Sequence, residues 1–94
     1  MTIEDLLIEA ERFADLKEVK EKFNESESEL IFRFLNQIGQ HEAQDRAFIA
    51  HEHVENYLCD HPFVILDQES WRLAKIASQS LFELYQRISN VKLE

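Results

Sequence analysis

Glycine and proline, the residues that most often form tight turns, are nearly missing from this chain. Its 94 residues include one of each. Folds built from many short strands need tight turns with positive φ angles, which glycine adopts at little cost. One glycine cannot provide them, so the sequence predicts a few long helices. We expect a single all-α domain over residues 1–94, a length that allows one hydrophobic core.

Cysteine is just as scarce, and recognisable targeting segments are missing as well. Cys59 is the only cysteine, so no disulfide can form within the chain, whereas small secreted domains usually carry several. Residues 1–13 are acidic and amphipathic, unlike a signal or transit peptide. No apolar run approaches the roughly 20 residues that span a bilayer. We therefore expect a cytoplasmic protein. Residues 93–94, Leu-Glu, fit a cloning scar that precedes a purification tag.

Positive charge is the third shortage. The formal net charge is −9, with ten acids and four bases in residues 1–29 and seven acids and one base in residues 42–69. Nucleic acids and anionic membranes attract basic surfaces, so we expect no direct nucleic-acid binding and no membrane binding. The acidity has two interpretations that the sequence leaves open. It keeps a small protein in solution, or it speeds the encounter with a basic partner.

What the chain does contain is a helical repeat of apolar residues, with no stretch that alternates with a period of two. This pattern predicts a first helix at about residues 3–23. Its apolar stripe changes side near Asp15, so the sequence leaves open a bend or break close to that residue. Ser26 and Glu29 form a capping box, which predicts the start of a second helix over residues 27–38.

The second helix is expected to end at Gly39, because glycine readily takes the left-handed conformation that follows a helix. A third helix is predicted over residues 41–59, since Pro62 disfavours the helical conformation for the residue before it. Residues 62–66 are a short apolar run, and we expect them to form an extended segment that crosses the core.

Asp67 is placed to cap a fourth helix over residues 68–90. Its expected core stripe consists of apolar residues at helical spacing: Leu73, Ala74, Ala77, Leu81, Leu84 and Ile88. Short connections favour antiparallel neighbours, so the predicted fold is a small antiparallel four-helix bundle. A three-helix core with a broken first helix is the alternative.

Two of these helices carry more apolar residues than the roughly one third of a helix surface that a core requires. The surplus comprises side chains beside the expected core stripes: Trp71, Phe82, Tyr85, Phe48 and Ile49. Either neighbouring helices and residues 62–66 cover them, or they form a protein-binding surface, because clustered aromatic residues dominate such interfaces. The second interpretation predicts a protein partner at these five residues, with a homodimer as its simplest form.

One segment combines side chains that bind metals. It contains His51, Glu55, Cys59 and His61, the first three of which recur every four residues. Imidazole, carboxylate and thiolate groups together suit zinc or another transition metal. No CxxC or HExxH pattern is present, so zinc or small-ligand binding by residues 51–61 is an alternative to the main expectation that the protein has no cofactor.

Patterns that support catalysis are missing from the sequence, which has no glycine-rich phosphate loop, no nucleophile elbow and no pair of helical E-x-x-H motifs. We therefore expect no enzyme, but a small acidic protein-binding domain of regulatory or adaptor type that associates with itself. The alternative is an inhibitor of the antitoxin, immunity or nucleic-acid-mimic kind. Its acidic residues would occupy a basic groove on the target.

Overall fold

The computed structural model describes residues 2–93, which are almost entirely helical and contain no strand. It contains five α-helices: α1 (Ile3–Phe23), α2 (Glu27–Phe34), α3 (Gln37–Val54), α4 (Pro62–Leu66) and α5 (Gln68–Ser89), with a π-helical turn at Glu55–Cys59 directly after α3. The predicted all-α class is therefore confirmed. Glu94, half of the suggested cloning scar, lies outside the described residues. The chain divides into two compact units, Met1–Leu35 and Asn36–Glu94.

Helix α1 is continuous from Ile3 to Phe23, so the break considered near residue 15 does not occur. The helix begins with a capping box. The hydroxyl of Thr2 accepts a hydrogen bond from the backbone N–H of Asp5 at 3.1 Å, and the Asp5 carboxylate accepts one from the backbone N–H of Thr2 at 3.1 Å. Such a reciprocal pair satisfies two backbone donors that a helix start leaves free.

The predicted boundary between the second and third helices is wrong. Helix α2 ends at Phe34 rather than at residue 38, and α3 begins at Gln37 rather than at residue 41. Gly39 does not end a helix, because it lies in the first turn of α3. There its backbone N–H donates to Oδ1 of Asn36 at 2.8 Å. Asparagine is a strong N-cap, and here that preference outweighs the tendency of glycine to follow a helix.

Residues 62–66 are helical, so the predicted extended segment is also wrong. Proline suits the first position of a helix, where its missing N–H is not needed. Nδ1 of His61 accepts a hydrogen bond from the backbone N–H of Phe63 at 3.1 Å and so caps the short helix α4. Asp67 caps α5 as predicted, by accepting from the backbone N–H of Ser70 at 3.1 Å. The described residues therefore form five helices, and an antiparallel bundle of four is not confirmed.

The first unit joins α1 to α2 through a turn in which Asn24 takes the left-handed conformation. The rings of Phe23 and Phe34 pack with their centroids 5.4 Å apart. The guanidinium of Arg33 lies over both rings, at 5.2 and 5.1 Å from their centroids, and also forms an ion pair with Glu25. The end of α1 is thus held against α2 by aromatic and cation–π contacts.

The second unit is an antiparallel helical hairpin of α3 and α5. The start of α3 lies beside the end of α5, where the side-chain amide of Gln40 donates to the carbonyl oxygens of Ile88 at 2.7 Å and Val91 at 2.9 Å. The end of α3 lies beside the start of α5, where Lys75 reaches Glu55 at 3.5 Å. Small residues occupy the middle: Ala47 on α3 and Ser78 on α5 are both buried. They allow the two helices to approach closely.

Replacing Gln40 with alanine should destabilise this hairpin. The amide of Gln40 donates to two carbonyl oxygens at the end of α5 and just beyond it, where a helix leaves its last carbonyl groups without a full set of partners. Loss of both bonds should lower the free energy of unfolding by about 1–2 kcal/mol, measured by urea denaturation followed by circular dichroism. Gln37→Ala, at an exposed position in the first turn of α3, is the matched control. If both substitutions had an equal effect, the two hydrogen bonds of Gln40 would not stabilise the hairpin.

Candidate protein-binding surfaces

The five residues predicted to bind a partner fall into two groups. Phe48, Phe82 and Tyr85 meet between α3 and α5, with ring centroids 5.4 Å apart for Phe48 and Tyr85 and 6.0 Å apart for Phe82 and Tyr85. Much of the surface of these three side chains is buried between α3 and α5. Trp71 and Ile49 are more accessible, at 43% and 57% exposed. The structure thus brings three of the five together, and partner binding by all five stays a prediction.

A small cavity lies at the exposed edge of this aromatic group. It measures about 180 Å³ and is lined by side chains of α3 and α5: His41, Gln44, Asp45, Phe48 and Tyr85. Its aromatic wall and polar rim resemble the composition of protein-binding patches, in which an apolar centre is surrounded by polar groups. Phe48 and Tyr85 therefore keep some capacity for contacts outside the hairpin.

A polar network lies deeper in the hairpin, at the π-helical turn. Nδ1 of His51 lies 3.0 Å from the backbone oxygen of Ser78, so this nitrogen carries a proton and donates it. The hydroxyl of Ser78 lies 3.3 Å from the same nitrogen. The carboxylate of Glu55 lies 3.5 Å from Nζ of Lys75, with the thiol of Cys59 and the hydroxyl of Ser78 as its other polar neighbours. The sequence pattern did not predict this network, because a π-helical turn inserts an extra residue and shifts the helical register.

Hydrogen bonds and burial shift two pKa values in this network. The thiol of Cys59, with smaller effects from Ser78 and Lys75, keeps the pKa of the Glu55 carboxyl below its usual value, although burial acts in the opposite direction. Burial raises the pKa of the Cys59 thiol, and the bond to Glu55 adds to this effect. A thiol held in its protonated form is a poor nucleophile and a poor metal ligand. Both pKa shifts are therefore typical of groups that stabilise the fold.

The lowered pKa of Glu55 predicts a pH-dependent contribution to stability. Because the folded pKa lies below the unfolded one, the contribution is complete above the unfolded pKa and is lost as the pH falls through the folded pKa. Glu55→Gln should therefore lower the free energy of unfolding at neutral pH. We expect a loss below about 1 kcal/mol, since solvent screens this half-exposed group. The difference from the wild type should shrink on acidification.

Denaturant titrations at neutral and acidic pH measure this difference, with Glu52→Gln as the control at an exposed position of the same helix. A difference between wild type and Glu55→Gln that stays constant over the whole pH range would contradict the role of the Glu55 carboxylate.

The residues predicted to bind zinc are not assembled into one site. Glu55 and Cys59 contact each other, but His51 binds Ser78 and His61 caps α4. Within residues 2–93, no three histidine, cysteine, aspartate or glutamate side chains converge closely enough to hold a metal ion. Zinc or small-ligand binding by residues 51–61 stays a prediction.

Three residues of the predicted core stripe of α5, Leu73, Ala77 and Leu84, are exposed, whereas the other three, Ala74, Leu81 and Ile88, are half-buried. Leu73 and Leu84 are 53% and 47% exposed, and Ile76, which the sequence did not assign to the core, is 48% exposed. The face of α5 that packs on α3 carries Ala74 of that stripe together with Ser78 and the half-buried Tyr85. The apolar residues of α5 therefore cover about half of the helix circumference, and α3 covers only one side of them.

This exposed face of α5 is a candidate binding surface that the sequence analysis did not predict, because it placed Leu73, Ala77 and Leu84 in the core. Helical periodicity correctly placed Leu73, Ala77 and Leu84 on one stripe, at about 100° per residue. Periodicity does not reveal whether the same chain or another molecule covers a stripe. The unusual width of the apolar arc is the only signal in the sequence for a second contact.

The first half of α1 also has apolar side chains that are exposed: Ile3, Leu6, Leu7, Ile8 and Phe13. Acidic residues flank them, and the salt bridge between Glu9 and Arg12 at 2.7 Å is local to the helix. Exposed apolar side chains on a helix are typical of surfaces that bind other proteins. This part of α1 is therefore a second candidate surface.

None of the helices described in residues 2–93 is both long and apolar enough to cross a membrane. Comparisons of the chain with protein-family models, with curated protein sequences and with solved structures found no match.

Proposed function

We propose that this protein is a small protein-binding domain of regulatory or adaptor type that associates with itself through helix α5 and has no catalytic activity. The observation that carries the proposal is the exposed apolar face of α5, with Leu73, Ile76 and Leu84 each about half exposed. Contiguous apolar side chains exposed beside polar neighbours mark interaction surfaces in proteins of this size. A second copy of the same chain would cover them, because a symmetric dimer uses the same surface on both subunits and needs no other protein.

Self-association would also complete the architecture predicted from the sequence. Each hairpin contributes α3 and α5, so two hairpins joined through α5 would form four packed helices. The apolar stripe of α5 would then lie inside, as the periodicity of Leu73, Ala77 and Leu84 indicates. Trp71, Phe48 and Ile49 would stay accessible to a further protein partner, which is the adaptor function that we propose.

Sedimentation velocity over a range from low to high micromolar protein concentration tests the self-association. We expect a weight-average mass that rises from one to two chains of 11.2 kDa each. Addition of salt should not weaken the association steeply, because the apolar contacts are screened little and the repulsion between two chains of net charge −9 is screened as well. A mass of one chain at every concentration would contradict the proposal.

The inhibitor alternative is supported by the charge of the N-terminal region, where residues 1–29 hold ten acids and four bases. An acidic mimic would bind a basic groove on its target, and this binding would weaken steeply with salt. The response of partner binding to ionic strength therefore distinguishes the two functions. A steep loss between low and physiological salt favours the inhibitor.

A further inference from the structure

We propose that α5 pairs with α5 of a second copy of this chain in antiparallel orientation, about a two-fold axis between residues 78 and 79. The contact residues are Leu73, Ala77, Ser80 and Leu84. This inference rests on the proposed self-association and adds its register and orientation. Three features of α5 and the charge distribution of the chain support a second copy at this exposed face.

The first feature is the symmetry of the stripe. Leu73, Ala77, Ser80 and Leu84 are separated by four, three and four residues, so their spacing is the same in both directions along the helix. An antiparallel copy therefore places Leu73 opposite the partner's Leu84 and Ala77 opposite the partner's Ser80. The two-fold axis of a closed dimer requires such a self-complementary surface.

The second feature is the order of side-chain sizes. Ala77 and Ser80 lie nearest the axis, where the two helices approach each other most closely, and the larger Leu73 and Leu84 lie about one turn further out on each side. Small residues at a crossing point let two backbones come together, and large ones beside it fill the widening space. All four positions are exposed in the structure.

The third feature is charge complementarity between the two ends of α5. Glu69 and Arg87 lie on the same side of the stripe, each about nine residues from the two-fold axis. In the antiparallel pair each Glu69 faces the partner's Arg87, and the two-fold axis forms this pair twice. In a parallel pair, by contrast, Glu69 and Arg87 lie at opposite ends of the interface, about 27 Å apart along the helix axis, and do not meet.

The Glu69 carboxylate and the Arg87 guanidinium are both able to form this interchain ion pair. Arg87 forms no ion pair with any residue in the described part of the chain. Glu69 accepts two hydrogen bonds from Arg72, at 3.0 and 2.6 Å, and a carboxylate has further acceptor positions. An interchain bond from Arg87 therefore does not require the local one to break.

The fourth feature is the uneven charge of the chain. Two copies with a formal net charge of −9 repel each other. Residues 70–94 hold two acids and four bases, unlike the acidic regions 1–29 and 42–69. Association through α5 therefore joins the two copies where their charge opposes contact least, which argues for a second copy at this surface and against an interface at the acidic α1.

Disulfide trapping tests the orientation. In a Cys59→Ala background, Leu73→Cys and Leu84→Cys variants are prepared separately, mixed and oxidised, and the products are identified by mass spectrometry. We expect disulfides between the two different variants. Identical variants should not cross-link, because their cysteines would lie about 16 Å apart along the helix axis. Circular dichroism of each variant before oxidation checks that the helices are intact.

The outcomes separate this inference from the proposed function. Cross-links only between identical variants would show a parallel pair, and a dimer in sedimentation without either cross-link would show a different surface. Each of these results overturns the register while self-association stands. Monomers throughout the concentration range would overturn both proposals.

Charge reversal provides a second test that leaves the apolar contacts unchanged. Arg87→Glu and Glu69→Arg should each raise the dimer dissociation constant about tenfold, since each affects two symmetric pairs. The double variant should return it to near the wild-type value, because it restores opposite charges in reversed order. Lys92→Glu, with the same change of charge outside α5, is the control. A double variant as weak as the single ones would contradict the pairing of Glu69 with Arg87.

Discussion

Replacing Leu84 with glutamate should turn the dimer into a monomer. The two-fold axis places two copies of Leu84 in the proposed interface, and each stands opposite the partner's Leu73. Full burial of a leucine side chain contributes about 1.5–3 kcal/mol, so covering the exposed part of Leu84, which is 47% exposed, contributes about 1 kcal/mol. The loss of two such contacts, with two added carboxylates, should raise the dissociation constant at least a hundredfold. Sedimentation velocity at concentrations where the wild type is dimeric measures the effect.

The monomer itself should tolerate the Leu84→Glu change, because Leu84 is already 47% exposed on the face of α5 turned away from α3. We expect similar helical circular dichroism and a modest change in the free energy of unfolding. Ile38→Glu introduces the same group at a position of α3 that is 79% exposed, and it should leave the dimer intact. Persistence of the dimer in Leu84→Glu, or its loss in both variants, would contradict the role assigned to α5.

Local sequence rules predict a helix end when the residues involved are close in sequence and no second rule opposes them. The capping box at Ser26 was predictable because Ser26 and Glu29 lie only three residues apart. The boundary near Gly39 was not, because two local rules competed there. Asn36 favoured a helix start and Gly39 favoured a helix end, and the sequence gives no measure of which is stronger. The structure shows that the N-cap prevails.

The candidate site was less predictable, for a different physical reason. The pattern of α5 correctly separated apolar from polar positions, but it assigned Leu73 and Leu84 to the core and left open whether Phe82 and Tyr85 are covered. In the structure Leu73 and Leu84 are exposed and Phe82 and Tyr85 are half-buried, because α3 packs against the side of α5 that contains Ser78 and these two aromatic residues. Which apolar side a neighbour covers depends on the crossing of two helices, and this is set by contacts between residues distant in sequence.

Polar side chains along the hairpin explain why this side of α5 faces α3. Gln40 and His51 of α3, and Glu55 of the π-helical turn, each have a hydrogen-bond partner on or near α5. A leucine-rich face would leave such groups without partners, which costs about 1–3 kcal/mol for each buried group. The side of α5 with Ser78 satisfies them, whereas the exposed side of Leu73 and Leu84 offers mainly hydrocarbon. The apolar stripe is therefore left available for a second molecule.

Ser78→Leu should be the most damaging single substitution in the hairpin. Ser78 is 3% exposed, and its backbone oxygen and hydroxyl hold His51 and Glu55. A leucine there overfills a tight helix crossing at a cost of about 1–3 kcal/mol, and the lost hydroxyl adds about 1 kcal/mol. A unit of this size has a total stability of only about 3–9 kcal/mol. Loss of much of the helical signal at moderate urea concentration is therefore the expected result.

Two further variants identify the cause of this loss. Ser78→Ala removes the hydroxyl without adding volume, so it should cost only about 1 kcal/mol. Gln86→Leu places the same side chain at an exposed position of α5 and should have little effect. If Ser78→Leu and Gln86→Leu unfold at the same urea concentration, Ser78 does not lie at a tight crossing of α3 and α5. In that case the exposed stripe of Leu73 and Leu84 would also lose its basis, because the same rotation of α5 buries Ser78 and exposes that stripe.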